Sequence, residues 1–156
     1  MTDADKDFLD RASAAATQAG HPFPRMAAAE AALESGYGES ELARVDNNLF
    51  GMKQHLHPEY GTASLPTKEF ELGEWREVTA EWVKYPDWPT CFFDRLRTLT
   101  SLSHAYPHYA AALNAVAAST YIIEVSQSWS TDPLRATKCL AIYQAYLTAL
   151  SAGVTA

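Results

Sequence analysis

Glu34 falls near the end of the helix-like part of AALESGYGES, residues 31–40. The alanines before it favour helix, and the glycines after it stop one. A carboxylic acid at a helix C-terminus, walled by apolar neighbours, is easier to keep protonated near neutral pH. That is the state needed to protonate a glycosidic oxygen. Spacing alone favours the plainer reading, a solvated helix-end carboxylate. A second carboxylate lies in PTKEFEL, residues 66–72. Alternate strand residues share a face, so Thr67, Glu69 and Glu71 fall on one side and Lys68, Phe70 and Leu72 on the other. Glu69 or Glu71 would complete the carboxyl pair that glycosidases set across the scissile bond. A plain polar strand face is the alternative.

Other polar groups offer less. Asn47 and Asn48 in DNNLFGMK, residues 46–53, suit hydrogen bonds to sugar hydroxyl or acetamido groups. They equally suit Asx-turns onto their own backbone. His55 and His57 alternate as HLH but lack a third ligand at metal-site spacing, so a loop surface and no metal are expected. His104 and His108 stand four apart, with Pro107 between them against a continuous helix. No Ser/His/Asp or Cys/His arrangement stands out, and no Gly-rich phosphate loop is present.

The elements that must position these groups read as mostly helical. Phe8, Leu9, Ala12 and Ala16 recur at helical spacing between Ala4 and Ala19, and Gly20 and Pro22 end that helix. Pro24 suits the first turn of a second helix, which runs to Leu33 or Glu34 and stops at Gly36 and Gly38. Residues 44–65 look irregular, and loops of that length are often functional. A β-hairpin follows, built from residues 66–72 and 76–85 with Gly73 at the turn. Further helices are expected from near Thr90, at Tyr109–Val116 and at Thr120–Ser126. The last takes Asp132 as N-cap and Pro133 as first residue, with Leu134, Cys139, Ile142, Tyr143, Tyr146, Leu147 and Leu150 forming its apolar stripe. The fold class is α+β, predominantly helical with one small hairpin, and 156 residues suit a single domain.

A formal net charge of −7, with no Lys/Arg run, excludes nucleic acid as a partner, because phosphate binding needs a clustered basic surface. No apolar stretch is long enough to span a bilayer, so no membrane insertion is expected. MTDADKDFLD lacks the basic start and apolar core of a secretory signal. Cys91 and Cys139 have no CxxC spacing and read as two separate thiols packed in helices. Four Trp and eight Tyr leave rings to spare for the flat apolar faces of sugars.

AALESGYGESELARVDNNLFGMK resembles the signature of the glucosaminidase domains of glycoside hydrolase family 73: a helix ending in A-x-E-S-G-W/Y-G-x-S, then N-N-L/F-F-G-I/M-K. TKEF at 67–70 resembles the family's T-x-E-Y/F strand. WVKYPDWPTCFFD at 82–94 resembles its F-R-x-Y-x-S…S-F-x-D segment, and STDPLRATKCL at 130–140 its A-T-D-P-x-Y-A-x-K-L segment. The resemblance runs from about Asp5 to Leu150. It implies a lysozyme-like α+β fold with the hairpin beside the active-site cleft. It also implies endo-hydrolysis, without a cofactor, of the β-1,4 bond between N-acetylglucosamine and N-acetylmuramic acid in peptidoglycan. Glu34 then falls on the general acid, and Glu69 on the hairpin carboxylate proposed as the second catalytic group. Tyr37, Asn48, Phe50 and Tyr85 fall on positions expected to line the cleft. Three positions depart from the pattern. Trp129 replaces the usual Tyr before A-T-D-P, keeping the stacking surface but losing the phenol. Arg135 replaces the usual Tyr after D-P, and Val83 the usual Arg of F-R-x-Y.

The rival readings are a muramidase or lytic transglycosylase on a related fold, and a non-catalytic wall-binding or tail-structural domain. The implied partner is the peptidoglycan glycan strand, met by a monomer at the bacterial cell wall, in the periplasm or outside the cell. With no signal peptide in view, release by lysis, through a holin or by another export route is expected, as for a phage lysin, a toxin or an excised domain. Anionic teichoic acids would repel the acidic chain, which points to a thin Gram-negative-type wall.

Overall fold

The computed structural model describes residues 1–54, 57–71 and 73–153, with side chains except at 67–71. The described elements are helices α1 (Asp3–Gln18), α2 (Pro24–Ser35) and α3 (Glu41–Asp46), strands β1 (Gly61–Glu71) and β2 (Glu74–Lys84), and helices α4 (Trp88–Leu102), α5 (Pro107–Leu113), α6 (Ala118–Trp129) and α7 (Arg135–Gly153). The chain adopts the expected class, mostly helix plus one two-stranded antiparallel sheet.

Helix α2 is central. Every residue from Met26 to Ala32 is buried, as fits a helix that is almost wholly apolar around its girth. Ala27, Ala28, Ala31 and Ala32 join one core with Phe8, Leu9 and Phe92. Met26 and Ala29 join a second core with Leu99, Tyr121 and Ile122. The small alanine side chains let α1 and α7 pack directly onto α2. Each fully buried Leu, Phe or Ile contributes about 1.5–3 kcal/mol, so these two clusters hold the frame of the site. Cys91 and Cys139 are both free and buried, one in each core. Burial pushes each thiol up to about 12.

Three expectations shift. Residues 44–46, expected to begin the irregular stretch, instead complete α3, which the Ser40 hydroxyl caps by accepting from the Ala43 N–H. The hairpin starts five residues earlier than Pro66 suggested, with Gly61 opposite Lys84 and Pro66 opposite Thr79. A two-stranded sheet has only edge strands, where a proline is tolerated. Helix α7 starts at Arg135, two residues later than Pro133 suggested, and ahead of it the Asp132 carboxylate accepts from the Leu134 N–H at 2.9 Å in an Asx turn. Leu134 is therefore exposed, and Arg135 takes the inward position expected for it. Among the described residues, no helix is long and apolar enough to cross a membrane.

Candidate active site

The segment after α2 turns tightly. Gly36, Tyr37 and Gly38 have φ of 60°, 55° and 82°, three left-handed residues in succession. The Ser35 hydroxyl donates to Ala31 O at 2.6 Å and accepts from the Gly38 N–H at 2.8 Å. The Tyr37 N–H donates to Ala32 O at 2.9 Å. A Cβ on Gly38 would lie 2.9 Å from the Phe8 ring, so any other residue there would have to displace that ring. The sequence ESGYG is thus a rigid stop, and it fixes Glu34 in the last turn of α2 with its side chain 26% exposed.

The neighbour of Glu34 is a cation, not the expected apolar wall. Arg135 Nε donates to Glu34 Oε1 at 2.8 Å, its Nη1 to Ser126 Oγ at 3.0 Å and its Nη2 to Glu30 Oε1 at 2.5 Å. Arg95 Nη2 donates to the same Glu30 oxygen at 2.6 Å. Behind it, the Phe23 N–H donates to His21 Nδ1, which leaves the proton on Nε2 to reach Tyr121 Oη at 3.1 Å. Tyr121 Oη donates in turn to Glu30 Oε2. Burial works against the Glu30 carboxylate, yet the Arg95 and Arg135 guanidinium groups hold it below its ordinary range. Burial likewise opposes the charge on Arg135, but Glu30 and Glu34 raise it above the usual arginine value. A buried cluster of this kind persists only where every charge is paired.

The other expected site residues divide into two groups. Tyr37 and Trp129 are half-buried and reach grooves. Tyr37 packs edge-on against Phe8 beside a groove of about 380 Å³ that also meets Trp88, Arg44 and Asn47. Trp129 borders an open cleft of about 690 Å³ with Ser126, Thr131 and Asp132. Its ring also carries the Arg95 guanidinium, 3.4 Å from the centroid. Asn48, Phe50 and Tyr85 differ from expectation. They are 1%, 4% and 2% exposed and frame the site from inside rather than line a cleft. The Asn48 amide donates to Met52 O and Val83 O and accepts from the Met52 N–H, which uses both of its donors. Asn47 likewise donates to Tyr85 O and Pro86 O. Phe50 packs on Phe92 and under Arg95. Tyr85 Oη donates to Asp94 Oδ2 at 2.6 Å, and burial and that carboxylate together push the phenol up.

His57 is also not on a loop surface. It is 3% exposed, with Nδ1 2.7 Å from Asp94 Oδ2. His108 Nδ1 lies 2.7 Å from Glu124 Oε2. Glu69 sits in β1 opposite Arg76. The side chains of Glu69 and Glu71, with His55 and Leu72, lie outside the described residues. Among the described residues, no group of three or more His, Cys, Asp or Glu could hold a metal ion.

Sequence reasoning missed Glu30 and Arg95, and took Arg135 only as a departure. One signal was available. Glu30 is a lone carboxylate inside AAAEAAL, one helical turn before Glu34 and hence on its face. An acid at the centre of an apolar helix needs a cationic partner.

Comparison with known proteins adds a lineage. The family model described as Glucosaminidase, mannosyl-glycoprotein endo-beta-N-acetylglucosaminidase, matches residues 10–148. Peptidoglycan hydrolase FlgJ of Salmonella typhimurium is 31% identical over 148 residues, covering 89% of this chain and 45% of the relative. Exo-glucosaminidase LytG of Bacillus subtilis is 31% identical over 134 residues, covering 81% and 45%. The chain thus spans about half the length of these curated relatives. The solved glycoside hydrolase domain of Salmonella typhimurium FlgJ superposes with a TM-score of 0.74 at 28% identity, covering 99% of this chain and 94% of that domain.

Proposed function

The chain belongs to the glucosaminidase family, and on that premise we propose that it is a peptidoglycan hydrolase, an endo-β-N-acetylglucosaminidase with Glu34 as general acid. Its bond is the β-1,4 linkage from N-acetylglucosamine to N-acetylmuramic acid. The observation that carries the reading is the placement of Glu34: a carboxyl group held by one oxygen at the rigid end of the central helix, with part of its surface open. Glu34 protonates the leaving oxygen as an oxocarbenium-like transition state develops. Water then attacks C1 with Glu69 as base, giving inversion. If the substrate's 2-acetamido group attacks first, the outcome is retention and Glu69 orients it. Tyr37 and Trp129 give sugar faces something to stack on. The protein works as a monomeric catalytic domain on glycan strands of the cell wall, without a cofactor, and reaches the wall by lysis, a holin or another export route.

The exo-glucosaminidase name of one relative favours a second reading, removal of terminal sugars. Mass spectrometry of borohydride-reduced products from purified peptidoglycan separates the possibilities. Muropeptides ending in reduced N-acetylglucosamine, absent with Glu34→Gln, are expected. Free N-acetylglucosamine alone would make the enzyme exo-acting. Reduced muramic ends would identify a muramidase, and 1,6-anhydro-muramic ends a lytic transglycosylase. Wall binding with no products would identify a non-catalytic module.

A further inference from the structure

The position after D-P, where the family pattern has a tyrosine, carries Arg135 here. Its three donor nitrogens reach three different partners: Glu34, Ser126 and Glu30. Arg95, Arg135 and Glu30 are 2%, 2% and 1% exposed, so their charges sit away from water. Two guanidinium groups share one Glu30 oxygen. With Glu34 protonated, the cluster holds two cations against one anion. With Glu34 ionised, it is neutral. The charge that appears on Glu34 when it gives up its proton is therefore balanced within the cluster.

We propose that Arg135 is a positioning residue for acid catalysis, aiming the Glu34 carboxyl and neutralising the carboxylate it becomes as its proton moves to the leaving oxygen. The inference rests on Glu34 being the general acid. Arg135 Nε–H occupies Oε1, so the transferable proton resides on Oε2. In the step, the Oε2–H bond breaks and a new O–H bond forms on the glycosidic oxygen. The C1–O bond breaks and leaves its electron pair on that oxygen, while water or the acetamido oxygen takes C1. The negative charge that appears on Glu34 meets a guanidinium already in place. An interaction that strengthens only as charge develops lowers the barrier without tightening substrate binding. A neutral phenol at this position could donate a hydrogen bond but supply no charge.

The test uses leaving-group dependence, which a purely structural role would not change. Wild type, Arg135→Gln and Arg135→Lys are compared on two substrates with the same N-acetylglucosaminyl donor. One has a sugar leaving group; the other is a 2,4-dinitrophenyl glycoside, which departs without a proton. Arg135→Gln is expected to lower kcat on the sugar substrate by about 10²–10³-fold, with KM within about twofold, while the aryl glycoside loses less than about threefold. Arg135→Lys, which keeps the charge, regains about tenfold on the sugar substrate. If Arg135→Gln does not fold, the ratio between the two substrates is read on Arg135→Lys, where a loss confined to the sugar substrate supports the proposal. Equal losses on both substrates, or a raised KM with kcat intact, would overturn it while leaving the proposed function standing. A wild type that cleaves neither substrate would overturn both.

Discussion

Asn48 shows how a residue of the right type can do another job. Amides suit sugar recognition, and the NNLFG loop pointed there. Yet the Asn48 side chain is 1% exposed and ties Met52 to Val83 through three hydrogen bonds. Removing it leaves buried backbone groups unpaired, at about 1–3 kcal/mol each. Asn48→Ala is therefore expected to lose about 3 kcal/mol or more in urea unfolding. Asn47→Ala, at a half-buried amide, loses about 1 kcal/mol. A higher KM with unchanged stability in Asn48→Ala would return the amide to the substrate. Glu30 makes the converse point. It looks like a helix-surface residue by type, but it is 1% exposed and binds two arginines.

At the scale of elements, the junction between α2 and α3 sets the geometry of Glu34. Both Gly36 and Gly38 are left-handed, but their surroundings differ. A Cβ on Gly36 meets nothing within 4 Å, whereas one on Gly38 strikes Phe8. Gly36→Ala bears only the backbone penalty of about 1 kcal/mol. Gly38→Ala adds a displaced Phe8 ring, and a loss of about 2–3 kcal/mol is expected. Because Phe8 anchors α1 to this turn, Gly38→Ala also lowers kcat. Thermal unfolding and kinetics on the same two variants check the ordering, and equal losses would refute it. The hairpin teaches a related lesson. Pro66 suggested a strand boundary, but a sheet with two edges has room for it, so pairing continues to Gly61.

At the scale of the whole molecule, His21 links distant parts of the chain. It bonds Tyr121, a hundred residues away, which reaches Glu30. Burial pushes His21 from 6.5 down to about 4, against the pull of Glu30 and aided by Arg95. The unfolded chain therefore takes up this proton before the folded chain does. The stabilisation is complete above pH 6.5 and is lost as pH falls toward about 4. Its full size is on the order of 3 kcal/mol. Between pH 7 and pH 4.5, wild type should lose on the order of 2 kcal/mol more than His21→Gln in urea unfolding. Parallel losses in the two proteins would rule this out.

Much of the frame was legible in local chemistry. Apolar periodicity marked α1, Pro24 and the two glycines bracketed α2, and alternation marked the core of the hairpin, because each of these is a property of neighbouring residues. The Glu34 motif was legible for the same reason: its turn is made by the residues beside it, Ser35 to Gly38. Three things depended on contacts between distant segments. Whether Asn48, Phe50 and Tyr85 face a cleft or the interior was decided by β2 and α4 closing over them. Whether Leu134 or Arg135 turns inward was decided by the Asx turn at Asp132 and by the carboxylates waiting on α2. The cation at Glu34 comes from 101 residues away along the chain. Local spacing carries no record of such a pairing, because burial of a charge is settled only when its partner arrives from another part of the fold.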